Sequence, residues 1–466
     1  MLNKIIKFFK NLFLSIGIFF SLGLIILFFY GDMSKQRRNI IFETVNSFMG
    51  LGPKYDAFIA NTPSKYFKVI YYNIKNKFTK FPYYSLNIKI SQNNLNDLEV
   101  LRSNKMKHII TNKKNVNAEI EIYKNKQDNI VTSKVNIRPK GDRKIHFLNI
   151  DSMSYKIDVK NGEEYILGME EMSLQKPIVR NYAWEILYHD LLKSENVLAL
   201  DIVPVKLYRN NKYLGIFVLE EGFEKELLIK QSRKNGPIIG INEEMSQYFP
   251  GLQYDYYSQN YWLNNNKNLF FESQNKLNKI KKKYKEDNFS IFEYFDMEKW
   301  AKFFALTDIL KMYHGAVTKS VKLYYNPETL LFEPIAFDGH HGSGYDNFSL
   351  VDLIFDPNIN CGYLCQHNEW INLFFDKKNK KFLEKFIIEL KYFSSDGFEK
   401  KIENNLENKI NLINQFFYSE FQSSDRVFYK GFLPYYFDVK TIYQRNLKIR
   451  DKIKSIENYL KKYYEN

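Results

Sequence analysis

The sequence predicts an α+β protein. A single N-terminal membrane-crossing helix leads into a mostly β lobe set against a mostly α lobe, with a ligand between them. Three observations predict this. Residues 12–30, LFLSIGIFFSLGLIILFFY, are an unbroken uncharged run. Residues 66–160 alternate apolar and polar side chains in short segments, the period of half-buried strands. From 291 onward apolar residues recur at three- and four-residue spacing, the period of helices with one buried face.

The N-terminal run would rise about 28 Å as a helix at about 1.5 Å per residue, close to one bilayer core. Lys4, Lys7 and Lys10 precede it and Lys35, Arg37 and Arg38 follow, a balance that leaves its orientation open. A cleavable leader would have a shorter apolar core and a small-residue cleavage site, so an uncleaved single-pass anchor and a membrane location are expected. Residues 1–11 then form a basic tail, and 31–65 a linker with a short amphipathic helix. The mostly β lobe is expected over 66–230 and the mostly α lobe over 231–466.

Within the β lobe, KVIYYNIK, YYSLNIKIS, AEIEIYKN, NIVTSKVNIRPKG and SYKIDVK read as strands. A helix is expected over 177–193, with Pro177 at its start, where a missing N–H costs nothing. IVPVKLYRNNKYLGIFVLEE reads as a hairpin, because its central Asn pair tolerates positive φ. Residues 251–290, polar and rich in Asn and Lys, read as a weakly structured insertion. A helix over 291–313 precedes a strand pair, SVKLYYNPETLLFEPIAFD, which runs into the glycine-rich stretch DGHHGSG.

Charge and cysteine content exclude several classes. Lys and Arg total 68 against 53 Asp and Glu, a net charge of +15. The lysines are scattered through the chain, and no ordered Arg or aromatic spacing marks a nucleic-acid reader, so no nucleic-acid partner is expected. The two cysteines, Cys361 and Cys365, make no disulfide framework. With His367 they also lack a fourth ligand at zinc-site spacing.

Five blocks in fixed order carry a family likeness: IRPKGDRKIHF (137–147), SYKIDVK (154–160), LGMEEMSLQKPIVRNYAWE (167–185), VKLYRNNKYLGIFVLEEGFEKELL (205–228) and LYYNPETLLFEPIAFDG (323–339). Together, over about 130–345, they resemble the CotH kinase family, closest to a membrane-anchored bacterial branch. The resemblance implies an atypical protein-kinase-like fold that transfers phosphate from ATP, with Mg²⁺ or Mn²⁺, to a protein or envelope glycan acceptor.

Phosphoryl transfer relies on positioning and charge neutralisation, and the blocks supply residues suited to both. Lys140, beside Gly141 and Asp142 and near Arg138, is expected to cover phosphates. Lys156 is expected to pair with Glu185 to hold them, with Lys160 and Arg180 as competitors. Glu220 and Glu221 end a strand where the chain should cross between lobes, and Glu220 is placed near ribose or substrate. Asp338 sits where the family places its metal-binding Asp, and Gly339 lets the backbone turn close to a ligand. The catalytic base is either Asp308 or His314. Ser320 stands where a second-metal Asn is expected, and His340 and His341 add imidazoles. A catalytically degenerate scaffold in envelope or surface-polysaccharide assembly is the alternative.

Overall fold

The computed structural model describes 70–107, 114–124, 129–141, 144–241, 254–283, 289–317, 320–340, 345–357, 369–418 and 439–465, apart from isolated positions, with part of 14–26. The linker helix, Asp142, His341, Cys361, Cys365 and His367 lie outside the described residues. The chain divides into two compact units. One comprises Met1–Pro82 and Asn411–Tyr436, the other Tyr83–Ile410 and Phe437–Asn466.

The predicted membrane-spanning helix is corrected by the structure. Among the described residues no helix is long and apolar enough to cross a membrane. The helical positions described there fall within 14–26. An uncharged run satisfies the composition of a span, but composition alone does not make one. The transmembrane and membrane-localisation expectations fall with it. Elsewhere in this unit, Gln415 Nε2 donates to Asn76 Oδ1 at 2.6 Å and to Thr79 Oγ1 at 2.9 Å.

The larger unit mixes α and β. Its first part is a closed seven-stranded barrel in the order β1-β2-β3-β4-β5-β8-β7. The strands are β1 (Tyr84–Lys89), β2 (Val116–Tyr123), β3 (Asn129–Pro139), β4 (Tyr155–Val159), β5 (Glu171–Gln175), β7 (Ile202–Arg209) and β8 (Lys212–Glu221). The strand alternation read from the sequence fills the barrel. Leu86, Ile88, Ile120, Ile122, Val135, Ile137, Ile157, Met172, Leu174, Val205, Leu207, Phe217 and Leu219 are all fully buried in one cluster. Between β1 and β2, helix α1 (Gln92–Met106) packs on the barrel.

The β7–β8 hairpin turns on Asn210 and Asn211, with φ of 48° and 65°, the left-handed pair that a two-residue turn needs. Asn210 pins the turn to β1, accepting from Ile90 N at 2.9 Å and donating to Ile90 O at 2.9 Å.

The single helix expected over 177–193 is broken. A 3₁₀ turn, Pro177–Arg180, ends at Asn181 and Tyr182, with φ of 45° and 53°, and helix α2 (Ala183–Ser194) starts afresh. After α2, β6 (Leu198–Ala199) leaves the barrel and pairs in parallel with β12 (Leu331–Ala336). That sheet has the order β10-β9-β11-β12-β6, where β9 is Ile238–Ile241, β10 Tyr254–Tyr256 and β11 Lys322–Asn326. The stretch expected to be weakly structured instead carries β10 and two helices, α3 (Gln259–Asn265) and α4 (Lys267–Lys283). In α4, Leu269, Phe270, Leu277 and Ile280 are buried on one stripe, while Lys279, Lys281, Lys282 and Lys283 are exposed and Lys276 is half-buried.

The rest is helical: α5 (Met297–Leu310), capped by Asp296, then α6 (Leu350–Phe355), α7 (Glu369–Phe375), α8 (Lys380–Phe393), α9 (Asp396–Tyr418) and α10 (Val439–Glu465). The helix expected over 291–313 is α5 with a 3₁₀ turn on each side, Ile291–Glu293 and Tyr313–Ala316. This shift puts His314 in a turn while Asp308 stays inside the helix.

Candidate functional site

One end of the barrel supplies Lys140 just after β3, Ser173 and Gln175 on β5, and Glu220 on β8, cross-strand from Ser173. Lys140 Nζ donates to Ser173 Oγ at 2.7 Å and to Glu220 Oε1 at 2.9 Å, and Gln175 Nε2 donates to the same carboxylate oxygen at 3.1 Å. Arg180, at the end of the 3₁₀ turn, closes this cluster with Nε on Glu220 Oε2 and Nη2 on Oε1 at 3.2 Å. Its Nη1 reaches out of the barrel to Asp338 Oδ1 at 2.5 Å. Arg180 thus makes these contacts from the 3₁₀ turn, before the break at Asn181 and Tyr182, and not from the helix that follows.

Asp338 lies two residues past β12, where the parallel β6–β12 pair brings the strand end beside α2. Its φ of 55° and that of His340, 42°, place both in the left-handed region around Gly339, a conformation that is held at a cost of order 1–3 kcal/mol each. Glu185, in the first turn of α2, holds the bend by accepting from Gly339 N at 2.8 Å and His340 N at 3.3 Å. His189, one turn on, stands between two acceptor oxygens, with Nε2 3.2 Å from Glu185 Oε1 and Nδ1 3.1 Å from Leu200 O. A methyl group on Gly339 would meet Met312 Cε at 2.7 Å and the Tyr188 ring at 3.1 Å, so the loop is packed from below.

Around the Asp338 carboxylate, His340 Nε2 stands 2.9 Å from Oδ1 and His314 Nδ1 3.4 Å from Oδ2. His314 Nδ1 is also 2.8 Å from Asp338 O and 3.2 Å from Ser320 Oγ. One ligand atom from each of His314, Asp338 and His340 falls within 4.8 Å of the other two, the single such group among the described residues.

The electrostatics follow from burial with opposed charge. Burial alone would raise the Asp338 pKa, but His340, Arg180 and His314 outweigh it and hold the carboxyl well below its usual range. Burial likewise opposes ionisation of Glu220, yet Arg180 and Lys140 bring it down to about 2. Burial lowers the Lys140 pKa despite the Glu220 partner. Glu185 is lowered against its own burial by His189 and Arg180. Phe337, between Ala336 and Asp338, lies 5.2 Å from the Arg180 guanidinium and 5.2 Å from Lys322 Nζ. The ring thereby lines the cluster with an apolar face that attracts cations.

The other expected residues fall elsewhere. Lys156 lies on β4 and pairs with Glu171 and, at 3.8 Å, with Asp158, so the Lys156–Glu185 pair does not form. Asp308 is fully buried within α5. Arg180, a competitor on the sequence, proves to be the residue that joins the barrel to the Asp338 loop. Ser173, Gln175 and His189 were not legible as site residues, since each is set by pairing across strands or turns.

The family model described as CotH kinase protein matches residues 137–466, well over half of the chain. The chain therefore belongs to the CotH kinase family and has a kinase-like function. The match runs past 345, where the sequence resemblance ended, and takes in the C-terminal helices. No curated protein matches the chain.

Proposed function

We propose that this member of the CotH kinase family binds a nucleoside triphosphate with a divalent cation beside Asp338 and transfers its terminal phosphoryl group to an acceptor hydroxyl on a protein or glycan. The observation that carries the reading is the Asp338 carboxylate, kept ionised on a bent, pinned loop and facing Arg180, whose guanidinium also holds Glu220. Phosphoryl transfer spreads charge over the equatorial oxygens, so preset cations and a fixed metal ligand meet most of its needs.

In this reading Asp338 binds the cation, which neutralises phosphate charge when present. Lys140 and Arg180 face the phosphates; both already neutralise Glu220, so each can swing part of its donor set to a ligand. Glu220 anchors these two cations, a role nearer the phosphates than the ribose or substrate contact expected from sequence. Glu185 positions the Asp338 loop through its two amide contacts. Lys156 stays on the barrel wall with Glu171. Of the two base candidates, His314 borders Asp338, whereas Asp308 is enclosed by protein donors.

A catalytically degenerate scaffold, which binds nucleotide without turnover or binds none, is the second reading, favoured by Ser320. Its hydroxyl is fully buried and turned to His314, 3.2 Å away, rather than standing as a second metal ligand.

Two measurements on the full chain separate these readings. Nucleotide with divalent cation should raise the unfolding temperature, by an amount equivalent to about 2.7 kcal/mol at a hundred times the Kd. Incubation with γ-labelled ATP and cell extract should then label an acceptor, and Asp338→Ala should abolish the label. A shift without label selects the scaffold, no shift at millimolar nucleotide rejects the kinase, and a label that Asp338→Ala abolishes rejects the scaffold.

A further inference from the structure

The donor set at Asp338 suits a different cation from the one a kinase ordinarily uses. We propose that His314, Asp338 and His340 together bind a transition-metal divalent ion, of the Mn²⁺ or Zn²⁺ class, in preference to Mg²⁺. The proposal deepens the reading above and rests on it only for what completes the coordination shell, a triphosphate or water.

Mg²⁺ is a hard ion that takes oxygen ligands at about 2.0–2.1 Å and sheds water reluctantly, so its protein sites are built from carboxylates and substrate oxygens. The group here offers one carboxylate and two imidazoles within 4.8 Å. The neighbouring carboxylates are already committed. Glu185 accepts from Gly339 N, His340 N and His189, and Glu220 accepts from Arg180, Lys140 and Gln175. Imidazole nitrogen suits Zn²⁺ and Fe²⁺ best, Mn²⁺ is the weakest of the first-row divalent ions at such sites yet a softer ion than Mg²⁺, and two nitrogens with one carboxylate is a recurrent first-row set.

The surroundings orient these groups as metal ligands are oriented. The atoms around His314 Nδ1 include the Asp338 carbonyl at 2.8 Å, the Asp338 carboxylate at 3.4 Å and the Ser320 hydroxyl at 3.2 Å. Facing two anionic or carbonyl oxygens, Nδ1 carries the proton and Nε2 the lone pair, the pattern in which a second contact fixes the ring of a ligating His. Asp338 and His340 reach one side of the loop only because both adopt left-handed φ, and Glu185 with His189 behind it holds that bend. An ion entering here takes the place of the direct contact between His340 Nε2 and Asp338 Oδ1, which stand 2.9 Å apart. Arg180 can leave Asp338 at small cost, since its Nε and Nη2 remain on Glu220. As a ligand, His314 is no longer a base, and a loose phosphoryl-transfer transition state asks little of one.

The test reads metal binding by electron paramagnetic resonance of Mn²⁺ added to the full chain without nucleotide. One Mn²⁺ per chain is expected, resisting about a hundredfold excess of Mg²⁺. Its electron spin-echo modulation should carry ¹⁴N coupling from directly bound imidazole. His340→Gln should weaken Mn²⁺ binding at least about tenfold and reduce the ¹⁴N signal. Glu185→Gln, which touches only the loop amides and His189, should weaken it by about 10–100-fold. Displacement by equimolar Mg²⁺, or bound Mn²⁺ without ¹⁴N coupling, overturns the proposal whether or not either variant folds. The nucleotide reading is scored separately by the thermal shift: a shift equal in Mg²⁺ and Mn²⁺ without a nitrogen-ligated site keeps that reading and rejects this one. A nitrogen-ligated Mn²⁺ without any nucleotide shift does the reverse.

Discussion

Two buried arginine–carboxylate clusters in the same compact unit part company in what surrounds the carboxylate. Asp308 is fully buried, and both of its oxygens are filled by protein. Oδ1 accepts from Tyr313 OH and from Arg445 Nη2 at 2.8 Å, and Oδ2 from Ser349 Oγ at 2.6 Å and Leu350 N at 3.1 Å. These contacts tie α5 to the start of α6 and to α10. Asp338 instead sits in a partly exposed bend, with a guanidinium and two imidazoles grouped on its carboxylate. The first arrangement uses every acceptor to hold elements together. The second gathers replaceable partners around one anion, as a site must if a ligand is to exchange with them.

The largest effect should come from breaking the first cluster. Arg445→Leu leaves Asp308 buried without its charge partner, and should cost about 3–5 kcal/mol of stability in denaturant unfolding. An effect under about 1 kcal/mol would mean that Asp308 is not a structural anchor.

The second cluster should show itself in acid. Glu220 is held at about 2, below its ordinary value, by Arg180 and Lys140. A depressed carboxyl adds stability above pH about 4.5 that is lost as the pH falls towards 2. For Glu220 this amounts to about 3 kcal/mol. Stability measured against pH should fall across that window in the parent and flatten in Glu220→Gln.

A smaller effect of opposite sign is expected just past β8. Burial and the nearby Glu171 raise Glu224 to about 7. A raised carboxyl contributes full stability below pH about 4.5, and that contribution is lost as the pH rises through 7. Glu224→Gln should therefore stabilise the protein at pH 8 by about 1 kcal/mol, allowing for solvent screening, and leave it unchanged at pH 4. Equal stability at pH 8 would place Glu224 in open solvent.

Much of this contrast was open to reading in the sequence, and the rest was not, for reasons of range. Period-two alternation marks which barrel residues turn inward, and RNNK marks its own turn, because both signals are local. The strand ending in Asp338 was legible for the same reason. The α2 start was not, since PIVRNYAWEILYHDLL keeps helical periodicity through a break set by left-handed φ at Asn181 and Tyr182. Nor was the Arg180 bridge, whose partners Glu220 and Asp338 lie 40 and 158 residues away. Lys156 illustrates the converse: Glu171, across β4 and β5, captures it before Glu185 can. The Lys- and Asn-rich stretch of α4 concealed a buried stripe, because its apolar residues are few but correctly spaced.

The central claim is that Asp338, and not Asp308, faces the ligand. Asp338→Asn and Asp308→Asn, each shown folded by circular dichroism, should be compared for metal-dependent ATP binding by calorimetry. Asp338→Asn should lose at least about tenfold in affinity, since removing the carboxylate charge removes the cation's anchor. Asp308→Asn should bind within about threefold of the parent while unfolding at lower denaturant. Parental affinity in Asp338→Asn would contradict the account.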